Sequence, residues 1–244
     1  MGEVYGRQPV LEAFRSGKEI NRLLIARGQR QGSIRAILAL AKEQGVVVQE
    51  VERTVLDSLT ENANHQGVLA QIAATVYLEL EDLLAKPRNP SWAPFLVLLD
   101  GIQDPHNLGS IIRSSEAMGV DGVIIPKRRA VAVTETVMKS SAGAANYVPI
   151  CRVGNLAVTI ETLKEAGYWI IGADMAGDSC FAQDLAGPIA LVIGGEGSGL
   201  SRLVKEKCDL LSSVPMRGQV NSLNASVAAA VLMFEVVRQR SCVP

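Results

Sequence analysis

Aromatic residues are scarce in this chain, with four Phe, four Tyr and two Trp among 244 residues. An aromatic platform for stacking bases is therefore not expected to be its main means of holding RNA. Histidines number only two, and the four cysteines (Cys151, Cys180, Cys208, Cys242) form no Cys-x-x-Cys pair. That scatter points to reduced thiols in a cytoplasmic protein, acting as small hydrophobes. It argues against a disulfide frame or a zinc site, and no metal is expected. Net charge is −1, so no global basic footprint announces nucleic acid. No uncharged apolar run approaches the ~18 residues that span a bilayer, so no membrane partner is expected. Met1-Gly2-Glu3-Val4 has neither the basic nor the apolar region of a signal peptide.

What is present is hydrophobic: 48% of residues, enough for one large domain or two smaller ones with their own cores. Residues 1–77 read as a small α/β unit. Pro9 suits the first turn of a helix ending at Arg15, with Gly17 just past it. Ser33 is expected to cap a helix carrying Ile34, Ile37, Leu38 and Ala41, stopped by Gly45. Strands are expected at 23–25, 46–48 and 68–70. Residues 78–94, with three prolines by Pro94, read as a linker. Residues 95–244 alternate strand and helix. Strands are predicted at 95–99, 123–125, 168–172, 189–193 and 211–214, with helices near 108–118, 155–166 and 223–239. The strands are continuous apolar runs, as in a parallel sheet covered on both faces, so the fold class is doubly wound α/β.

Three clusters in the second half carry chemistry. In Asp104-Pro105-His106-Asn107-Leu108-Gly109-Ser110-Ile111-Ile112-Arg113, Asn107 is a good helix cap. Arg113 either pairs on the helix surface with Glu116 or stands as a fixed cation for a phosphate. Ile193-Gly194-Gly195-Glu196-Gly197-Ser198-Gly199-Leu200 matches neither a dinucleotide fingerprint nor a P-loop. Its glycines permit close backbone approach to a ligand, while Glu196 is either an exposed loop carboxylate or a group that meets a cation or N–H donors. In Asn221-Ser222-Leu223-Asn224, capping by Asn221 or Ser222 explains one polar residue but not three. The helix that follows is apolar around much of its girth and should be buried in the domain or against a second subunit. Local basic clusters, Arg22, Arg27, Arg30 and Arg35 with no acid between them and Lys127-Arg128-Arg129, are either solvated faces or RNA contacts. His65 is either a hydrogen-bonded turn residue or an RNA contact.

Taken together, Asn107-x-Gly109-x-x-x-Arg113, Ile193–Leu200 and Val214-Pro215-Met216 with Ser222-Leu223-Asn224-x-Ser226 resemble the three motifs of the SpoU, or TrmH-type, branch of the SPOUT RNA 2′-O-methyltransferases. Tyr5-Gly6, Val10-Leu11-Glu12-Ala13 and His65-Gln66-Gly67-Val68 resemble the RNA-binding extension of bacterial enzymes that methylate the ribose 2′-hydroxyl of a guanosine in 23S ribosomal RNA, an extension similar to ribosomal proteins that bind kinked RNA. The resemblance implies a C-terminal α/β domain with a trefoil knot, S-adenosylmethionine as cofactor, a homodimer and large-subunit ribosomal RNA as partner. It implies catalytic roles for Arg113, Asn107, Glu196, Asn224 and Ser222, with Asn107 and Glu196 holding Arg113. It places the cofactor against Gly194, Val214, Met216 and Leu223. Asn221 departs from the small or acidic residue expected there and is read as tolerated variation. Transfer RNA is the alternative substrate. A non-catalytic RNA-binding protein and a nucleotide-binding α/β enzyme are the alternatives in other classes.

Overall fold

Ile20-Asn21-Arg22-Leu23-Leu24-Ile25-Ala26 is a strand buried at every position but Arg22, which requires cover on both faces. In the computed structural model of the chain it is β2 of a four-stranded sheet. The structure describes residues 2–29, 31–85, 87–88, 92–219 and 222–241, so Arg30, Asn221 and Cys242 lie outside the described residues. The chain forms two units: residues 1–76 with 132–135, and residues 77–131 with 136–244.

The first unit runs β1 (Glu3–Tyr5), α1 (Arg7–Arg15), β2 (Ile20–Ala26), α2 (Ser33–Glu43), β3 (Val47–Val51), α3 (Arg53–Leu59) and β4 (Val68–Ile72), with strand order β1-β4-β2-β3. Only β2 and β3 run parallel; β4 is antiparallel to both neighbours. α1 and α2 cover one face through Val10, Phe14, Ile34 and Ile37, packed on Leu23, Ile25, Val68 and Ala70. Leu56 of α3 covers Leu24, Ala26 and Leu69 on the other. β3 is one of the two edge strands and is exposed at its centre, where Gln49 and Glu50 are polar, a common guard against edge pairing. α2 starts at Ser33 itself; Gly32, with no side-chain bond, stands at the cap position expected for Ser33.

The second unit runs α4 (Leu80–Ala85), β5 (Phe95–Asp100), α5 (Pro105–Ala117), β6 (Gly122–Pro126), α6 (Glu135–Ser140), β7 (Ile150–Val153), α7 (Leu156–Glu165), β8 (Trp169–Ser179), β9 (Ile189–Gly194), α8 (Arg202–Lys207), β10 (Leu210–Ser213) and α9 (Ala225–Ser241). All six strands are parallel, in the order β10-β8-β9-β5-β6-β7. The chain builds outward from β5 through β6 to β7, then returns to lay β8, β9 and β10 on the other side. The order therefore reverses between β5 and β9, and the crevice beyond their carboxyl ends is where an open α/β sheet binds ligands. Leu96, Leu98, Ile124, Ile170 and Val192 of the sheet pack with Ile160 and Leu163 of α7 and Val204 of α8. The segment expected to be linker contains α4, whose Leu83 is buried in the same cluster.

Candidate active site

Each site loop leaves the carboxyl end of a strand. After Asp100 the chain turns through Gly101–Asp104 into α5. The cap of α5 is Asp104, not Asn107 as expected: the Asp104 carboxylate accepts from the backbone N–H of His106 (3.1 Å) and Asn107 (3.3 Å), and Pro105 occupies the first turn. Relieved of capping, Asn107 turns its side chain into the protein, where it is 7% exposed.

After Ile193 the glycine loop folds back on itself, Gly195 facing Gly199. A Cβ on Gly194 would stand 2.2 Å from the Gly199 carbonyl carbon, and one on Gly195 would stand 2.5 Å from the Gly101 oxygen. These two glycines are needed for backbone-on-backbone packing beside β5, rather than for ligand approach alone. Gly195 N–H donates to Asp100 O (2.8 Å), and Ser201 N–H to the Asp100 carboxylate (2.6 Å). Glu196 is thereby held at the loop crest beside α5.

The third segment enters α9. Its cap is Asn224, not Ser222: Asn224 Oδ1 accepts from Ser226 N–H (2.9 Å), Ser226 Oγ (2.6 Å) and Val227 N–H (3.3 Å). That fixes the amide orientation and leaves Nδ2 to donate to Asn107 Oδ1 (3.0 Å) and to Glu196 Oε1 (2.9 Å). Asn107 Nδ2 donates to the same Glu196 oxygen. Three residues separated by up to 117 positions thus close a ring of amide–carboxylate hydrogen bonds. Charge-assisted bonds of this kind set a carboxylate's position without a cation.

Arg113 is not part of the ring. It lies on α5 six residues after Asn107, about 120° around the helix, and is exposed. Among the described residues it makes no hydrogen bond or ion pair. Glu116, its expected helix partner, instead lies 3.6 Å from Arg88. The expectation that Asn107 and Glu196 hold Arg113 fails within one chain, because Asn107 faces inward and Arg113 outward.

Two cavities meet at Glu196 and Ser198. One, of about 380 Å³, is bounded by the glycine loop, by Ser212–Val214 and Met216, and by Leu223, Ala225, Ala228 and Leu232. All four residues expected to hold the cofactor (Gly194, Val214, Met216, Leu223) line it, as does Ser222. Its size suits a small-molecule ligand, and its lining is mostly apolar. Ser212, 1% exposed, is among the lining residues, and its buried Oγ has no hydrogen-bond partner among the described residues. Ser212 and the β8 residues Ala173, Asp174 and Met175 were not singled out from sequence, since no motif marks them. The second cavity, about 300 Å³, lies at the reversal of strand order and is lined by Gly101–Asp104, Asn107, Glu196 and Ser198. Among the described residues no three His, Cys, Asp or Glu are grouped to hold a metal ion.

In the first unit the described basic candidates, Arg22, Arg27 and Arg35, are dispersed. Arg22 is the third residue of β2 and bonds Gln49 (3.2 Å), whereas Arg27 lies just past the strand's end, about 16 Å farther along, paired with Glu52 (2.5 Å). Arg35 is exposed on α2. His65 is 2% exposed with both ring nitrogens engaged: Nδ1 accepts from Gly67 N–H (3.0 Å), and Nε2–H donates to Asp57 (2.8 Å). It holds its loop from inside and is not placed to touch RNA. Arg7 ties that loop to the one after β2, donating to Gln66 O (3.3 Å) and Gln29 Oε1 (2.9 Å).

Comparison with known proteins accords with this geometry. Residues 94–234 match the SpoU rRNA methylase family, and residues 4–78 match the family of RNA 2′-O ribose methyltransferase substrate-binding domains. The chain is 52% identical over 239 residues to a TrmH family tRNA/rRNA methyltransferase of Staphylococcus haemolyticus, covering 97% of this chain and 95% of that protein. It is 47% identical to one of Bacillus subtilis, covering 98% and 96%. The crystal structure of the SpoU methyltransferase AviRb of Streptomyces viridochromogenes with AdoMet matches at TM-score 0.61 and 29% identity, covering 98% of this chain and 90% of that one. The chain belongs to the SpoU rRNA methylase family and is an S-adenosylmethionine-dependent RNA 2′-O-methyltransferase.

Proposed function

We propose that the protein methylates the ribose 2′-hydroxyl of a guanosine in 23S ribosomal RNA, acting as a cytoplasmic homodimer. The observation that carries this reading is Glu196, held by Asn107 and Asn224 on the ridge between an apolar cavity and a polar one. The apolar cavity fits the cofactor, with Gly194, Val214, Met216 and Leu223 around it and Ser212, whose Oγ is buried without a partner among the described residues, in its wall. When bound there, S-adenosylmethionine supplies a methyl group on a positively charged sulfur. The polar cavity fits the target ribose. Asn107, Glu196 and Asn224 then orient the hydroxyl toward the methyl group, and in-line placement supplies much of the rate. Ser222 stands beside them as a further polar group.

The hydroxyl must lose a proton as it attacks. Arginine stays protonated, so Arg113 positions the phosphate and stabilises the developing negative charge, while phosphate or water takes the proton. Because Arg113 points away from its own ring, we place it at the site of a second subunit. α9, exposing Val227 and Phe234, is the face for that dimer. The trefoil knot belongs to this reading through the family. The first unit is the RNA-selecting part, through the loops around Arg7, Arg27 and Arg35. Exposed Arg128 and Arg129, after β6 at the carboxyl edge of the second sheet, add charge near the reacting end. Transfer RNA is the second reading, supported by the names of the relatives, which carry both substrates.

The test is to incubate the protein with labelled S-adenosylmethionine and bulk RNA lacking the modification, then map 2′-O-methyl positions by reverse-transcription stops. Label in 23S RNA is expected. Label confined to transfer RNA refutes the substrate assignment, and no label in RNA refutes the enzyme. Arg113→Ala is expected to abolish turnover while leaving cofactor binding intact.

A further inference from the structure

β8 keeps its pairing with β9 only as far as Gly172 opposite Val192. On its other side Gly172 pairs with Leu211, yet the next residue of β10, Ser212, pairs with Asp178. Residues 173–177 therefore loop out between two consecutive partners, forming a five-residue excursion whose Ala173, Asp174 and Met175 line the cofactor cavity. Gly177 closes it: a Cβ there would stand 2.3 Å from the Leu211 carbonyl carbon. Asp174 ties it internally, accepting from Ala176 N–H (2.9 Å), and ties it outward to Lys205 of α8 (2.6 Å). The Asp174 side chain is 18% exposed and Lys205 38%. Burial raises the Asp174 pKa, but the bonds from Lys205 and Ala176 outweigh it, holding the carboxyl below its ordinary value and ionised at neutral pH.

The charged groups of the described cavity wall are then Asp174 and Glu196, with no lysine, arginine or histidine among them. Arg217, next in the chain after Met216, is exposed and outside the lining. Methyl transfer changes one charge at this place. The ribose oxygen gains the methyl and gives up its proton, the carbon–sulfur bonding pair stays on sulfur, and the positive sulfonium becomes a neutral thioether. We propose that Asp174 makes the cavity prefer the positively charged methyl donor over its neutral by-product, with Lys205 setting the strength of that preference by partly cancelling the carboxylate's field. This rests on the cavity being the cofactor site. Its functional consequence is release: the wall holds the donor and loosens once the methyl group has gone.

Calorimetric titration of the full-length protein with S-adenosylmethionine and with S-adenosylhomocysteine tests this. The quantity read is the ratio of the two dissociation constants. Asp174→Asn is expected to reduce the preference for the donor by roughly three- to ten-fold, the scale of one charge–charge interaction at a partly exposed site. Lys205→Met is expected to raise it. A pair that merely staples two walls together predicts instead that both variants weaken both ligands alike, with the ratio unchanged, and that result overturns the proposal. Should Asp174→Asn fold poorly, an unchanged or reduced ratio in Lys205→Met overturns it alone. A wild-type protein that binds neither ligand refutes the cofactor-site reading, and the proposal with it; binding of both with unmoved ratios refutes the proposal only.

Discussion

Asn107 spends its whole side chain on two partners, giving Nδ2 to Glu196 and accepting from Asn224 at Oδ1. Replacing it by alanine leaves the carboxylate one donor, Asn224 Nδ2, and leaves that amide one acceptor short. Glu196 and Asn224 are exposed enough to be resolvated, so the stability cost should be only about 1 kcal/mol. The loss of orientation should fall on catalysis: kcat is expected to drop at least about tenfold, with cofactor affinity changing far less. Denaturant unfolding beside single-turnover kinetics checks the split. Cys151 makes a contrasting case. It is 1% exposed, and burial first, then Glu79 and Glu81, push its thiol up to about 12. A raised pKa means the folded state holds its proton more tightly. Its contribution is complete below the ordinary thiol value of 9.0 and lost as pH climbs through about 12. Stability measured across that window should fall less steeply in Cys151→Val, and the native thiol should resist iodoacetamide at pH 8.

At the scale of elements, α9 is pinned at both ends by side chains rather than by its own periodicity. Asn224 caps its start. Near its end Arg240 reaches three carbonyls, Ala93 O (2.7 Å), Gly187 O (2.7 Å) and Pro94 O (3.4 Å), with its guanidinium 5.2 Å from the Phe95 ring. Arg240→Ala should cost about 1–3 kcal/mol and lower Tm by roughly 2–12 °C in thermal unfolding. The element scale is also where sequence reasoning was strongest and weakest. β5, β6 and β9 are continuous apolar runs because both faces are covered, and that signal is local. β7 is four residues interrupted by Arg152, while α6 and α8 are six residues each, too short to show a helical period. Asn107, Glu196 and Asn224 were legible as motif members, but their mutual bonding was not, since it depends on which strands lie side by side. Asp174 and Ser212 were not legible at all. Asp174 lines the cavity from the stretch where β8 leaves its ladder after Gly172, and Ser212 from the β10 residue at which pairing resumes; both belong to pairing and not to composition.

For the whole molecule, residues 132–135 group with the first unit, Ala74 N–H donating to Val133 O (3.3 Å) and Val133 being 0% exposed. Removing residues 1–77 therefore bares Val133, at a cost of about 1–2 kcal/mol. The remaining fragment should still bind cofactor and lose cognate RNA by at least about tenfold; retention of RNA by the fragment refutes the division of labour. A dimer through α9 makes a separate demand. Phe234→Glu, at a site 55% exposed, should leave a lone chain's stability nearly unchanged but convert the sedimenting species from dimer to monomer. Activity should fall with it if Arg113 serves the neighbouring subunit.

The excursion at 173–177 uncouples the cavity wall from the sheet that carries it. Its flanking pairs, Gly172 with Leu211 and Asp178 with Ser212, engage consecutive residues of β10, so the ladder resumes whatever lies between them. Substitutions at 173–176 can therefore change the cavity wall without touching the ladder, whereas Gly177 is held to glycine by its approach to Leu211. The wall of the apolar cavity can thus be altered at those positions while the ring of Asn107, Glu196 and Asn224, built on other elements, keeps its geometry.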